Sequence, residues 1–197
     1  LVAARAPLRF DRPDARPARV EVARRLGYVL VALDGGARLA AFRLPALAPL
    51  AGFPAQGAAN AHTVLVDEER ARAWVGGSQR YAVVDLINPG RTTSFQMPAG
   101  GGTGRLWSMI HDPVHDRIFF IDRFNFLYAV RASDLGPAPE SPGPNLFTIH
   151  GDLVQDPRTG NLFVLGWRNL STYTWLVNYR TLARINRRMP EMGDNAV

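Results

Sequence analysis

The chain has 197 residues, 47% of them hydrophobic, with 18 Gly, 15 Pro, no cysteine and a formal net charge of +6. This composition rules out disulfides and thiolate metal sites, argues against a disordered chain, and leaves room for one or two domains with a sizeable core. No apolar run approaches the length of a membrane-spanning helix, and the basic residues are all arginine.

Residues 1–18 read as an extended N-terminal segment, because Pro7, Pro13 and Pro17 forbid a continuous helix. The runs Leu8-Arg9-Phe10 and Val20-Glu21-Val22 each offer an outer strand that closes a sheet array. Next comes Tyr28–Leu33, then Asp34-Gly35-Gly36, then Arg38–Phe42. Asp-Gly between two apolar runs predicts a hairpin, since Gly accepts the positive φ such turns need. A second group has strands at His62–Val66, Ala73–Val75, Tyr81–Leu86 and Ser94–Met97. A third has Leu106–Ile110, Ile118–Ile121, Phe126–Val130 and Leu146–Ile149. The fourth has Leu153–Val154, Leu162–Leu165 and Thr172–Tyr179, with residues 191–197 as a tail. Aromatic and β-branched residues dominate these runs, as strand propensity requires.

The groups repeat. Asp67, Asp112 and Asp156 lie 45 and 44 residues apart, and each precedes a polar turn and an apolar run. The second strands begin at Tyr28, Ala73, Ile118 and Leu162, with the same phase. Self-similarity in this range marks a repeat architecture. The expected fold is all-β: a β-propeller-type array of about four four-stranded blades, either a closed four-bladed ring or part of a larger propeller. The blades fall at about 19–57, 58–102, 103–147 and 148–190. The three aspartates are expected to accept backbone N–H bonds in their turns. Trp74, Phe119, Phe120 and Phe163 align between units and are expected in the core.

The second unit runs from His62-Thr-Val-Leu-Val-Asp67 through Trp74-Val-Gly-Gly77 to Tyr81-Ala-Val-Val-Asp-Leu86. It resembles the repeats of YVTN-type and NHL-type β-propellers. Asn125-Phe-Leu-Tyr-Ala-Val-Arg131 also resembles quinoprotein-type propeller repeats. The first unit departs from the pattern, with Val22 at the aspartate position, and only the second ends its third strand on an acid, Asp85. The resemblance implies a fold that hosts ligand binders, scaffolds, lyases and lactonases, so it names no activity by itself.

In a propeller, the loop entering the innermost strand and the turn between the second and third strands share one face. The repeat alignment therefore selects His62, Trp107 and His150 at the entries. It selects Arg38, Arg80, Arg123 and Arg168 at the turns, with Trp167 beside the last. Arg38, Arg80, Arg123, Arg168, Trp107 and Trp167 form a candidate site for an anionic or aromatic ligand, because guanidinium offers paired donors and stacks on rings. His62 and His150 are candidates for an acid–base pair. His111 and His115 have zinc-like i, i+4 spacing, but Pro113 argues against the helix that spacing needs, so neither a metal nor a cofactor is expected. No phosphate loop, nucleophile elbow or zinc-protease helix is present in the sequence.

Residues 1–25 hold seven arginines against three acids, and residues 176–197 hold four against two. These basic ends lack the aromatic interleaving that stacks bases, which disfavours nucleic acid as partner. The reading is a non-catalytic binding or scaffold propeller that engages a protein partner, another copy or a small anionic ligand through one face. The alternatives are a propeller enzyme of lyase or lactonase type using the channel histidines, and a basic-tailed structural subunit of a larger assembly. The compartment is not set by the sequence; a secreted or periplasmic setting is preferred over the cytoplasm.

Overall fold

A computed structural model describes residues 16–34, 38–53, 55–56, 60–78, 80–97, 105–124, 126–136, 149–168 and 171–185, with backbone alone at 56, 149–151, 167–168 and 171–173. Among the described residues there is no helix. Sheet 1 contains β1 (Arg16–Ala23), β2 (Tyr28–Asp34), β3 (Arg38–Arg43) and two short pieces, β4 (Ala48–Pro49) and β5 (Ala55–Gln56), both paired with β3. Sheet 2 is β6 (Thr63–Asp67), β7 (Arg72–Gly76), β8 (Arg80–Asp85) and β9 (Thr92–Gln96). Sheet 3 is β10 (Leu106–Asp112), β11 (Arg117–Asp122) and β12 (Leu127–Arg131). Sheet 4 is β13 (Ile149–Gln155), β14 (Leu162–Arg168) and β15 (Ser171–Val177). The pairings are antiparallel, and each sheet is a meander in chain order apart from β5, which pairs back onto β3.

The apolar runs are continuous rather than alternating because the sheets are buried on both faces. In β11, Ile118 and Phe120 face sheet 2, where they meet Trp74, Tyr81 and Val83. Phe119 and Ile121 face sheet 4, where they meet Leu153, Val164 and Trp175. In β7, Trp74 points to sheet 3 while Ala73 and Val75 point to sheet 1 and pack with Leu30, Ala32 and Leu39. Tyr81 anchors the middle junction, 5.2 Å from the Phe120 ring and 5.0 Å from Phe95. Its hydroxyl donates to the Leu135 carbonyl at 3.0 Å, which satisfies the polar end of a buried ring.

The first strand of each sheet is the inner one. β1 packs beside β6, β6 beside β10, and β10 beside β13. Among the described residues no comparable packing joins β13 to β1, and the described sheets stack as an arc in chain order. The end of the arc shows on sheet 4. Val154 and Leu165 are 48% and 43% exposed on its outward face, and Phe163 on the same face is only partly buried. Phe163 therefore departs from the expected core position: its counterparts Phe119 and Trp74 have a sheet on either side, and among the described residues it does not. Val20 and Val22 also depart from expectation. They lie in the inner strand β1 rather than in an outer closing strand. Leu8–Phe10 lie outside the described residues, as do residues 146–148 of the expected fourth strand in the third unit. Ile149 belongs to β13 instead.

The turn aspartates act as expected. Asp67 accepts from the Arg70 N–H at 3.2 Å, Asp112 from the His115 N–H at 3.2 Å, and Asp156 from the Arg158 N–H at 3.0 Å. The same turns repeat in backbone conformation. Gly27, Ala71, Asp116 and Gly160 all have positive φ, at 68°, 48°, 54° and 75°. Side chains from neighbouring sheets then bridge these turns. The Arg70 guanidinium donates to Asp116 at 3.3 Å, Gln155 donates to Asp112 at 2.6 Å, and His115 Nε2 lies 2.9 Å from the Tyr179 hydroxyl. Burial pushes the Asp112 carboxyl up, but bonds from the His115 ring, the Gln155 amide and the His115 N–H outweigh it and hold the group below its ordinary value.

The left-handed turn position supports a paired prediction. A Cβ at Gly160 would sit 3.1 Å from the Tyr179 ring, on a backbone that disfavours L side chains. Gly160→Ala is expected to destabilise by about 1–2 kcal/mol. Ala71→Gly relieves the same strain and is expected to stabilise by up to about 1 kcal/mol, after the entropy lost by glycine is subtracted. Urea-unfolding midpoints should move in opposite directions; movement in the same direction contradicts the shared turn geometry.

Candidate functional site at the mouth of the arc

The ends of β2, β7 and β11 and the starts of β6, β10 and β13 meet on one face of the arc. Gly76 shows how closely they approach. A Cβ there would lie 2.7 Å from Thr63 Cγ2 and 2.9 Å from Leu106 Cβ, so only glycine lets β7 pass between two inner strands. Backbone bonds tie the same region. The His62 N–H donates to the Gly76 carbonyl at 2.8 Å, Leu106 to Gly77 at 2.9 Å, and Arg123 to Arg105 at 2.7 Å.

Four side chains from three sheets converge here. His62 enters β6, Arg105 and Trp107 open β10, and Asp34 closes β2. The Arg105 guanidinium donates through Nη1 to His62 Nε2. The Asp34 carboxylate stands 3.6 Å from His62 Nε2 and 3.7 Å from Arg105 Nη1. The His62 ring stacks on Trp107 with centroids 5.8 Å apart and planes 28° apart. Farther round the inner strands, the Ser108 hydroxyl donates to Asp152, and the Leu153 N–H donates to Ser108 at 3.4 Å. This joins β10 to β13.

His62 is held neutral. Burial lowers its pKa most, the Arg105 charge lowers it further, and Asp34 raises it only in part. Its Nε2 lone pair is already engaged by Arg105, so the ring is poorly placed to take a proton from a substrate. The contacts of Arg105 among the described residues run through Nη1, while its side chain is 39% exposed. Trp107 is 38% exposed although its strand neighbours Leu106 and Ser108 are buried. A guanidinium beside an accessible indole can receive a planar, negatively charged group.

Of the residues selected from the repeat alignment, His62 and Trp107 come together. Arg38 begins β3, Arg80 begins β8, and Arg123 follows β11 with its guanidinium 5.8 Å over the Phe124 ring. Arg38 and Arg80 thus open third strands rather than lying in the turns before them, and the arginine that meets His62 is Arg105. The backbones of His150, Trp167 and Arg168 lie in β13 and β14, and their side chains fall outside the described residues. Sequence reasoning missed Arg105 and Asp34. Arg105 follows a glycine-rich connector and precedes Trp107 by two positions, which places it at the same strand entry. In the sequence, Asp34 reads only as part of the Asp-Gly hairpin turn.

No family model and no curated protein matches this sequence. Solved structures do match in fold. Hydrazine synthase from Kuenenia stuttgartiensis superposes with a TM-score of 0.69 at 10% identity, covering 93% of this chain and 51% of the matched chain. A chain of the mitotic checkpoint complex gives 0.69 at 14% identity, covering 89% and 51%. The WD40 repeats of RRP9 give 0.59 at 9% identity, covering 82% and 51%. The chain thus spans about half the length of these matched structures. Together with the meander sheets and inner strands, they define the chain as an all-β protein of β-propeller type.

The state of His62 generates a pH prediction. Its folded pKa lies below the ordinary 6.5, so the unfolded chain takes up its proton first as pH falls. The stability linked to neutral His62 is complete above 6.5 and is lost as pH falls through the lowered folded value. Histidine NMR titration should place His62 below 6.5, and His62→Gln should flatten the melting-temperature slope between about pH 7 and pH 5. An unshifted His62 titration contradicts this assignment.

Proposed function

We propose that this chain is a non-catalytic binding scaffold: an arc of blades from a larger propeller that engages a protein partner at its open end and offers its mouth face for recognition. The observation that carries this reading is the outward face of sheet 4. Every internal junction buries apolar side chains from two sheets, whereas Val154 and Leu165 remain about half exposed at the end of the arc. Covering such side chains gains roughly 25 cal/mol per Å² of apolar surface, and a further sheet stacked in the same way would do so. The share of each matched structure that the chain covers supports the same view, since about as much again is needed to match their length. One of the matches, the mitotic checkpoint complex, is by name an assembly. The engaged state of the His62 ring favours binding over the lyase or lactonase alternative. The turn aspartates and the third-strand ending at Asp85 support a YVTN- or NHL-like subtype for the blades.

The test is the native mass of the particle that contains this chain, isolated from its source without denaturation. It is expected to exceed the mass of one chain. Leu165→Glu is expected to reduce it to a single chain while leaving the fold intact, because that side chain is already 43% exposed. A wild-type particle of single-chain mass at every concentration overturns the proposal.

A further inference from the structure

We infer that the cluster of Arg105, Trp107, His62 and Asp34 is a binding site for a carboxylate carried on an aromatic group. The inference rests on the scaffold reading only for its choice of face. It concerns the mouth rather than the open end, so each can fail without the other.

Trp107 is the most informative member of the cluster. The residues on either side of it in β10 are buried at 0% and 5% exposure, while the indole itself is 38% exposed. A large aromatic ring presented to solvent on a rigid inner strand is a low-entropy contact surface, the kind that dominates binding energy when it is covered. It is also held in place. His62 stacks against it, and His62 is in turn fixed by its backbone bond to Gly76 and by the Arg105 guanidinium. A platform whose neighbours are locked loses little freedom when a ligand arrives.

Arg105 decides the ligand's charge. Its Nη1 edge is taken by His62 and lies 3.7 Å from Asp34. Both partners therefore sit on one side of the guanidinium and orient it. Guanidinium carries five donors in a planar fork, and its other edge matches the two oxygens of a carboxylate. Arg105 and Trp107 both contact the His62 ring, which brings the guanidinium and the indole to one place although the β10 register shifts between Leu106 and Ser108. A ligand that stacks on the indole and extends a carboxylate toward the guanidinium uses both at once. A neutral ring gains only the stacking, and an aliphatic acid gains only the ion pair. Asp34 adds selectivity: its negative charge next to Nη1 penalises an anion that approaches from that side and leaves the far edge as the favourable one.

The chemistry is shared by free aromatic acids and by the C-terminus of a peptide that ends in an aromatic residue. The experiment separates them. The Trp107 indole N–H resonance, assigned by its loss in Trp107→Phe, is followed while the wild-type chain is titrated with phenylacetate and, separately, with N-acetyl-Gly-Phe. Benzyl alcohol and cyclohexylacetate serve as controls that lack the charge or the aromatic ring. Saturable shifts with at least one aromatic carboxylate, at least about tenfold tighter than with either control, are expected. The tighter of the two carboxylates names the source. Arg105→Lys keeps the charge and removes the planar fork, and it should weaken binding by about tenfold or more. Failure of both carboxylates to shift the resonance, or equal binding by benzyl alcohol, overturns the inference. The wild-type comparison with the controls decides the matter even if a variant misfolds.

Discussion

The structure depends on burying both faces of a sheet. A strand projects its side chains alternately to either side, so a run such as Ile118-Phe119-Phe120-Ile121 loads two faces at once. All four of these residues are fully buried, and no single meander can achieve that. The sheets must stack, each serving as the floor of one junction and the ceiling of the next. The junctions differ in composition. Small residues, Ala32, Ala41 and Ala73, fill the first, and large rings, Trp74, Tyr81 and Phe120, fill the second. Stacking is thus a matter of volume matched at each interface rather than of one repeated contact.

Stacking also creates the mouth. Inner strands crowd together where the sheets meet, and Gly76 marks the tightest point. The entries to those strands must then share a small space, whatever residues they carry. Asp34, His62, Arg105 and Trp107 come from three sheets and meet for this reason. Partial burial keeps the imidazole neutral, and a neutral imidazole can accept the guanidinium proton donor without repelling it. The opposite face is linked in a more structural way. There, the left-handed turns of sheets 2, 3 and 4 are pinned by their own aspartates and bridged by Arg70–Asp116 and His115–Tyr179.

The repeat was legible because its signals are local. An aspartate that bonds its own turn, a β-prone run and a glycine-tolerant corner each depend on a few consecutive residues, and they recur in phase. Even the left-handed position follows that phase, from Gly27 to Gly160. The site was only half legible. Strand entries could be aligned, which picked out His62 and Trp107. Arg105 could not be distinguished from the many other arginines, because its contact with His62 spans 43 residues and is set by how sheet 3 sits against sheet 2. Phe163 misled for the same kind of reason: it has the right place in the repeat, but among the described residues no sheet lies beyond it.

By itself the sequence determined the class of object, a series of antiparallel meanders of fixed period with aspartate-anchored turns. Those features are short-range, written in propensity and hydrogen-bond chemistry along the chain. The tertiary structure decided that the described sheets stack as an arc, that Val154 and Leu165 on sheet 4 stay about half exposed, and that Arg105 and Asp34 join the mouth. These outcomes depend on the angles and distances between sheets, which emerge only when whole faces pack against one another.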